Sequence, residues 1–225
     1  FLILRNSPRE MGLAAVASDE LQADAQPAAA DRVGALDWGA VYRSGAVWHL
    51  GLVYIAFGFS YIIYMTFFVR YLVGEFDYTK PEAGNLFMMM GWVSLFCGLI
   101  WGTVSDRIGR KWALMIVYLI QVVSFGLFGL WTEPVGFTVS AILFGLTAWS
   151  IPAIVAAACG DVVGPRLAPA AVGFVTMLFS LGQASGPTVA GAIADASGSL
   201  SPAMVLAAGV ALLGAIGSAT LRTDR

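Results

Sequence analysis

Six apolar blocks of about twenty residues each dominate the sequence, and no other feature limits its fold as tightly. They run over residues 47–69, 83–104, 112–131, 136–159, 170–194 and 203–221. A helix rises about 1.5 Å per residue, so roughly 20 apolar residues cross a hydrocarbon layer of about 30 Å. Water is absent from that layer, and every backbone N–H and C=O there needs a partner within the protein. A helix meets this demand inside one segment, and the sequence lacks the period-2 alternation of a transmembrane barrel strand. The expected fold class is therefore all-α integral membrane, with six transmembrane helices lying in a lipid bilayer.

Composition narrows the function classes. Hydrophobic residues make up 59% of the chain and charged residues 12%, against roughly 25% charged in soluble domains. The net charge of −2 is spread along the chain and offers no basic face for nucleic acid. Cys97 and Cys159 both fall inside apolar blocks. They lack metal-site spacing and read as small buried apolar side chains. No metal or cofactor is expected. With His49 as the only histidine and no carboxylate at the centre of a span, hydrolytic chemistry lacks its parts, and no enzyme is expected.

The polar residues sit between and around the blocks. Residues 1–4 read as the end of a preceding transmembrane helix, and residues 5–46 as a cytoplasmic linker rich in Ala, Asp and Gln. From Asp37 the linker turns amphipathic, and Trp38 and Tyr42 suit a short helix at headgroup level. The connections at 74–81, 132–134 and 198–202 carry Gly, Pro and Ser and are short enough to make successive spans antiparallel neighbours. If the linker is cytoplasmic, that side holds ten of the twelve Lys and Arg residues, leaving only Arg70 and Lys80 opposite. This positive-inside bias puts both ends, including the tail 222–225, in the cytoplasm.

Between the second and third spans stands Gly102-Thr103-Val104-Ser105-Asp106-Arg107-Ile108-Gly109-Arg110-Lys111. It resembles the G-x-x-x-D-R-x-G-R-[RK] loop of the major facilitator superfamily, which joins the second and third helices of each six-helix half. Residues 1–13, Asp161–Ala171 and the pattern Gly182-x-x-x-Gly186-Pro187-x-x-x-Gly191 also look like that family. The resemblance implies the C-terminal six-helix half of a transporter with part of its central cytoplasmic linker. The N-terminal half would be its partner, and a bacterial inner membrane its location. It further implies that Gly102, Asp106, Arg107, Gly109, Arg110 and Lys111 form a cytoplasmic gating loop. An aspartate between these cations can pair with arginine or cap a neighbouring helix, and the resemblance implies that the Asp106 carboxylate lies near Pro169 and Ala170, at the positive end of the fifth span.

In that family the substrate sits near the bilayer midplane, between the halves. Tyr54, Gly58 and Tyr61 share a face of the first span at i, i+4, i+7, with Tyr64 alongside. Tyrosines at that depth need a hydroxyl partner or a wet cavity. Pro152 bends the fourth span and frees a carbonyl about a turn earlier, beside Trp149 and Ser150. Gln183 of the fifth span is either a ligand contact or a bond between helices, and Gln121 of the third reads as interhelical glue. Gly182, Gly186, Pro187 and Gly191 read as close packing with a kink, and His49 as an interfacial residue. The implied function is secondary active transport of a small-molecule substrate by alternating access, with a coupling proton or counter-substrate. The closest resemblance is to members that move small organic anions such as monocarboxylates. Drug or sugar efflux, and a non-transporting membrane sensor on the same fold, are the alternatives.

The cation count generates a test of orientation. Single cysteines at Thr79 and at Ser105, without Cys97 and Cys159, are expected to react differently with an impermeant thiol reagent added outside. Thr79 labels and Ser105 does not; the reverse pattern overturns the orientation.

Overall fold

Helix boundaries follow the local chemistry of the chain. Ser44 accepts a hydrogen bond from the Val47 amide at 3.4 Å and opens a 31-residue helix. Thr79 and Glu82 form a reciprocal capping box, with the Thr79 amide donating to the Glu82 carboxylate at 2.9 Å. Prolines stand in the first turn of four helices, where a missing N–H costs nothing. Gly198, left-handed at φ 74°, ends one of these four. The computed structural model describes residues 38–221, and among these every regular element is a helix. They are α1 (Trp38–Arg43), α2 (Gly45–Glu75), α3 (Lys80–Ser94), α4 (Cys97–Ile108), α5 (Arg110–Leu130), α6 (Pro134–Gly145), α7 (Ser150–Val163), α8 (Ala168–Ser197) and α9 (Ser201–Ala219). The expected preceding-helix end, the linker up to Asp37 and the tail fall outside the described residues.

Helices α2, α5, α8 and α9, and the α6–α7 pair, are each long and apolar enough to cross a membrane. The α3–α4 pair, bent by 41°, is long and apolar enough only when taken together, and counted as one span it makes a sixth. The first span, α2, runs six residues beyond Val69, and the fifth, α8, reaches from Ala168 to Ser197.

The second and fourth spans are interrupted, each for a local reason. The Ser94 hydroxyl donates back to the Gly91 carbonyl at 2.7 Å, the acceptor that Leu95 would use in an unbroken helix. The Leu95 amide instead bonds Trp92. In the fourth span Pro152 has no N–H for the Ala148 carbonyl, and the chain makes turns over residues 146–149. Pro187 has no such effect, because α8 continues across it without a break.

Two packing devices assemble the bundle. The first is an aromatic cluster around Tyr64, whose ring lies 4.8 Å from both Phe128 and Phe144, centroid to centroid. Phe68 stacks on Phe128 at 4.7 Å, and all these rings are buried. Beside them Ser124 and Ser140 exchange reciprocal hydroxyl-to-carbonyl bonds of 2.9 and 2.8 Å, joining the third and fourth spans. The second device is the close approach of α2 and α8. A Cβ on Gly182 would fall onto the Ile55 carbonyl, and one on Gly186 would lie 2.8 Å from the Phe59 carbonyl. Gly191 faces open space, so it takes no part in the packing expected of it. Gln121 is fully buried, yet neither atom of its amide has a hydrogen-bond partner. The interhelical bond expected of it is not made. His49 instead joins helices, with Nε2 2.9 Å from the Gly217 carbonyl near the end of α9.

The contrast between the glycines is measurable. Gly182→Ala overpacks a backbone contact and is expected to cost about 1–3 kcal/mol. Gly191→Ala meets nothing and is expected to be neutral or stabilising by up to about 1 kcal/mol through helix propensity. Thermal unfolding of the solubilised protein compares them, and equal melting of the two variants would remove the glycine contact from the account.

Candidate functional site

The approach of α2 and α8 sets one pair of polar side chains. Gly58 leaves no space for a Cβ between α2 and the Phe179 carbonyl, so Gln183, one turn on, reaches across. Its Nε2 donates to the Tyr61 hydroxyl at 2.6 Å. Having accepted this bond, the Tyr61 oxygen still has its own proton to donate. Gln183 keeps a carbonyl and a second N–H.

Tyr61 also lines a cavity of about 70 Å³ with Met65, Phe87, Met90, Gly91, Ser94, Phe144, Ala148 and Trp149. The cavity thus lies where α2, α3 and the broken fourth span meet. Trp149, 51% exposed, is the last residue of the break. Its position follows from the turn at 146–149, since an unbroken helix would carry it round to another face. Irregular backbone inside a membrane protein is tolerated where protein buries it or where it lines a cavity.

Of the residues expected to line a cavity, Tyr61 and Trp149 do so, and Gln183 stands behind Tyr61 as its hydrogen-bond partner. The others do not join them. Tyr54 is 7% exposed and stacks on Phe179 at 4.6 Å. Gly58 is taken up by the helix contact. Tyr64 is wholly buried in the aromatic cluster, with its hydroxyl 2.8 Å from that of Ser140. Three residues turn a helix by about 300°, which carries Tyr64 from the face of Tyr61 into the bundle core. Ser150 is fully buried and its hydroxyl has no partner. Met65, Phe87, Met90 and Ser94 were not foreseen. The Met88-Met89-Met90-Gly91 run was their only sign in the sequence, and methionine runs are as common in plain cores.

The charged loop is built around one arginine. Gly109, at φ 89°, turns the chain between α4 and α5 in a conformation that favours glycine. Arg110 then folds back, donating to the Ser105 hydroxyl at 2.9 Å and pairing with Asp106. Its Nε also reaches Asp161 of α7 at 3.0 Å. Of the two partners open to Asp106, an arginine and the start of the fifth span, it takes Arg110. A full charge one helical turn away attracts a carboxylate more strongly than the partial charge of a helix end. Arg107 is exposed, Lys111 lies over the Trp112 ring at 5.6 Å, and a Cβ on Gly102 would meet open space. Ser105 is buried, so the exposed Arg107 position is the better probe of this loop's orientation.

Six apolar spans, two of them broken beside a cavity, and an arginine-centred loop between the second and third define a polytopic membrane protein of the transporter class. Residues 19–218 match the family described as "Uncharacterised MFS-type transporter YbfB". The chain belongs to that family of major facilitator superfamily transporters, and the six-span architecture is that of one transporter half.

The two tyrosines separate packing from site. Tyr64→Phe loses a buried hydrogen bond and is expected to lower stability by about 1 kcal/mol, with uptake per inserted molecule unchanged. Tyr61→Phe is expected to leave thermal unfolding unchanged and to reduce uptake. The opposite assignment in paired melting and uptake measurements would move Tyr61 out of the site.

Proposed function

We propose that this protein is a secondary transporter working by alternating access, with its solute held between this bundle and a second six-helix half. The observation that supports the reading most directly is the cavity beside the fourth-span break, lined by Tyr61, whose hydroxyl Gln183 holds from behind, and by Trp149. Such a site gives a solute an aromatic face and one hydroxyl donor, while the apolar walls exclude water. The linker and both termini are read as cytoplasmic, and the membrane as a bacterial inner membrane.

The solute is read as a small organic molecule. Among the described residues no charged side chain lines the cavity. A monocarboxylate, the anion expected from the sequence, would therefore have its charge met by groups outside the described residues. An energy-coupling proton or counter-substrate belongs to the same reading.

Arg110 with Asp106 and Asp161 joins the loop after the second span to the end of the fourth, and it biases one state of the alternating equilibrium without touching solute. The two carboxylates are 65% and 60% exposed, so each pair is worth at most about 1 kcal/mol. Asp106→Asn in the intact transporter is therefore expected to slow uptake per inserted molecule by up to roughly fivefold, with the half-saturating concentration nearly unchanged. A fall in the amount of inserted protein at constant uptake per molecule would assign Asp106 to folding alone.

A further inference from the structure

Helices α2 and α8 run parallel, since Gly182 meets Ile55 and Phe59 while Gly186, one turn on, meets Phe59 and Ile62. Their last turns therefore arrive together, at the end of the bundle opposite the Arg110 loop. Between them is a cleft of about 230 Å³, lined by Arg70, Gly74 and Glu75 of α2, Asp195 of α8 and the turn that follows Ser197.

Glu75 fixes the floor of this cleft. One carboxylate oxygen accepts from the Ser199 hydroxyl at 2.6 Å and the other from the Leu200 amide at 2.7 Å. These bonds tie the end of α2 to the start of α9, and each oxygen keeps a lone pair for a further donor. Arg70 and Asp195 are placed differently. Both are exposed, and among the described residues neither makes an ion pair. The Arg70 guanidinium lies over the Phe67 ring, 5.9 Å from its centroid.

The cleft thus sets one guanidinium against two carboxylates, beside the carbonyl ends of two long helices. A simple anion is opposed by the carboxylates, and a simple cation by Arg70. A group carrying both charges satisfies all three side chains. Depth narrows the choice. Val69 closes the first apolar block, and the residues from Arg70 to Glu75 climb about 9 Å past it. The headgroup layer adds roughly 5–8 Å to each side of the hydrocarbon, so the cleft stands at headgroup level.

We propose that this cleft binds a phosphoethanolamine group, with the phosphate on Arg70 and the ammonium between Asp195 and Glu75. The guanidinium fork matches phosphate oxygens, and the carboxylates accept N–H bonds that only a primary ammonium supplies. A trimethylammonium has no N–H and prefers aromatic faces, whereas the Phe67 ring already carries the guanidinium. The group arrives either on a lipid headgroup or as a free solute. The assignment does not depend on the transport reading and lies apart from the central cavity.

The test is thermal unfolding of the intact transporter in phosphatidylcholine nanodiscs, with two arms that separate the sources. Soluble phosphoethanolamine added to these discs reads the free group. Exchange of the lipid for phosphatidylethanolamine reads the lipid-borne one. A rise in melting temperature is expected in at least one arm, with little response to phosphocholine. Arg70→Gln and Asp195→Asn are each expected to weaken binding about tenfold, each variant being compared with its own melting in phosphatidylcholine discs alone. Tyr61→Phe, in the central cavity, is expected to keep the full response. A rise that survives in both variants, or an equal response to phosphocholine, overturns the proposal. So does no rise in either arm, which would leave Arg70 and Asp195 as surface charges or as partners of the second half.

Discussion

A backbone amide or carbonyl without a partner is too costly to leave in hydrocarbon, and the architecture of this bundle follows from that constraint. It explains why the described spans are helical and why an interruption needs other groups to take the acceptors it frees. At the fourth-span break the released acceptors are collected individually. The Thr147 hydroxyl takes the Leu143 and Phe144 carbonyls, Ser150 bonds back to Thr147, and Trp101 covers Leu146. The interruption is therefore a built element, stabilised by side chains from its own span and a neighbouring one.

Close approach of helices is the second requirement, because lipid and leucine are equally apolar and burial alone does not hold spans together. The structure answers it with small residues where backbones meet and with rings where they separate. Gly182 and Gly186 bring α8 against α2. Tyr118 fills the notch left by Gly214 on α9 and donates to the Val53 carbonyl at 2.6 Å. The same geometry that packs α2 against α8 delivers Gln183 to Tyr61. The polar pair at the cavity is a by-product of the tightest helix contact.

Legibility in the sequence differed by residue. Tyr61, Gln183 and Trp149 were identifiable because polar or amphipathic groups in the middle of apolar spans need a reason to be there. Tyr64 satisfied the same criterion and belongs to the core, since a single helical face cannot be resolved to within 60° from spacing alone. Trp101 carried no signal. A tryptophan in an apolar span looks like any other, and its role depends on a carbonyl 45 residues away. Asp106 was legible as a loop charge with an arginine or a helix end for a partner, but the choice between them was not, because Arg110 reaches it only once Gly109 has turned the chain.

The sequence by itself determined the number and approximate extent of the spans, the membrane environment and the superfamily. These follow from segment length, composition and one local motif, none of which needs a distant contact. Tertiary structure alone decided which side chains share the cavity, which glycines are needed, and how the two broken spans are linked. Those outcomes depend on helix rotation and on backbone groups exposed by a break. Both are settled by packing between segments far apart in the chain, where no local spacing rule operates.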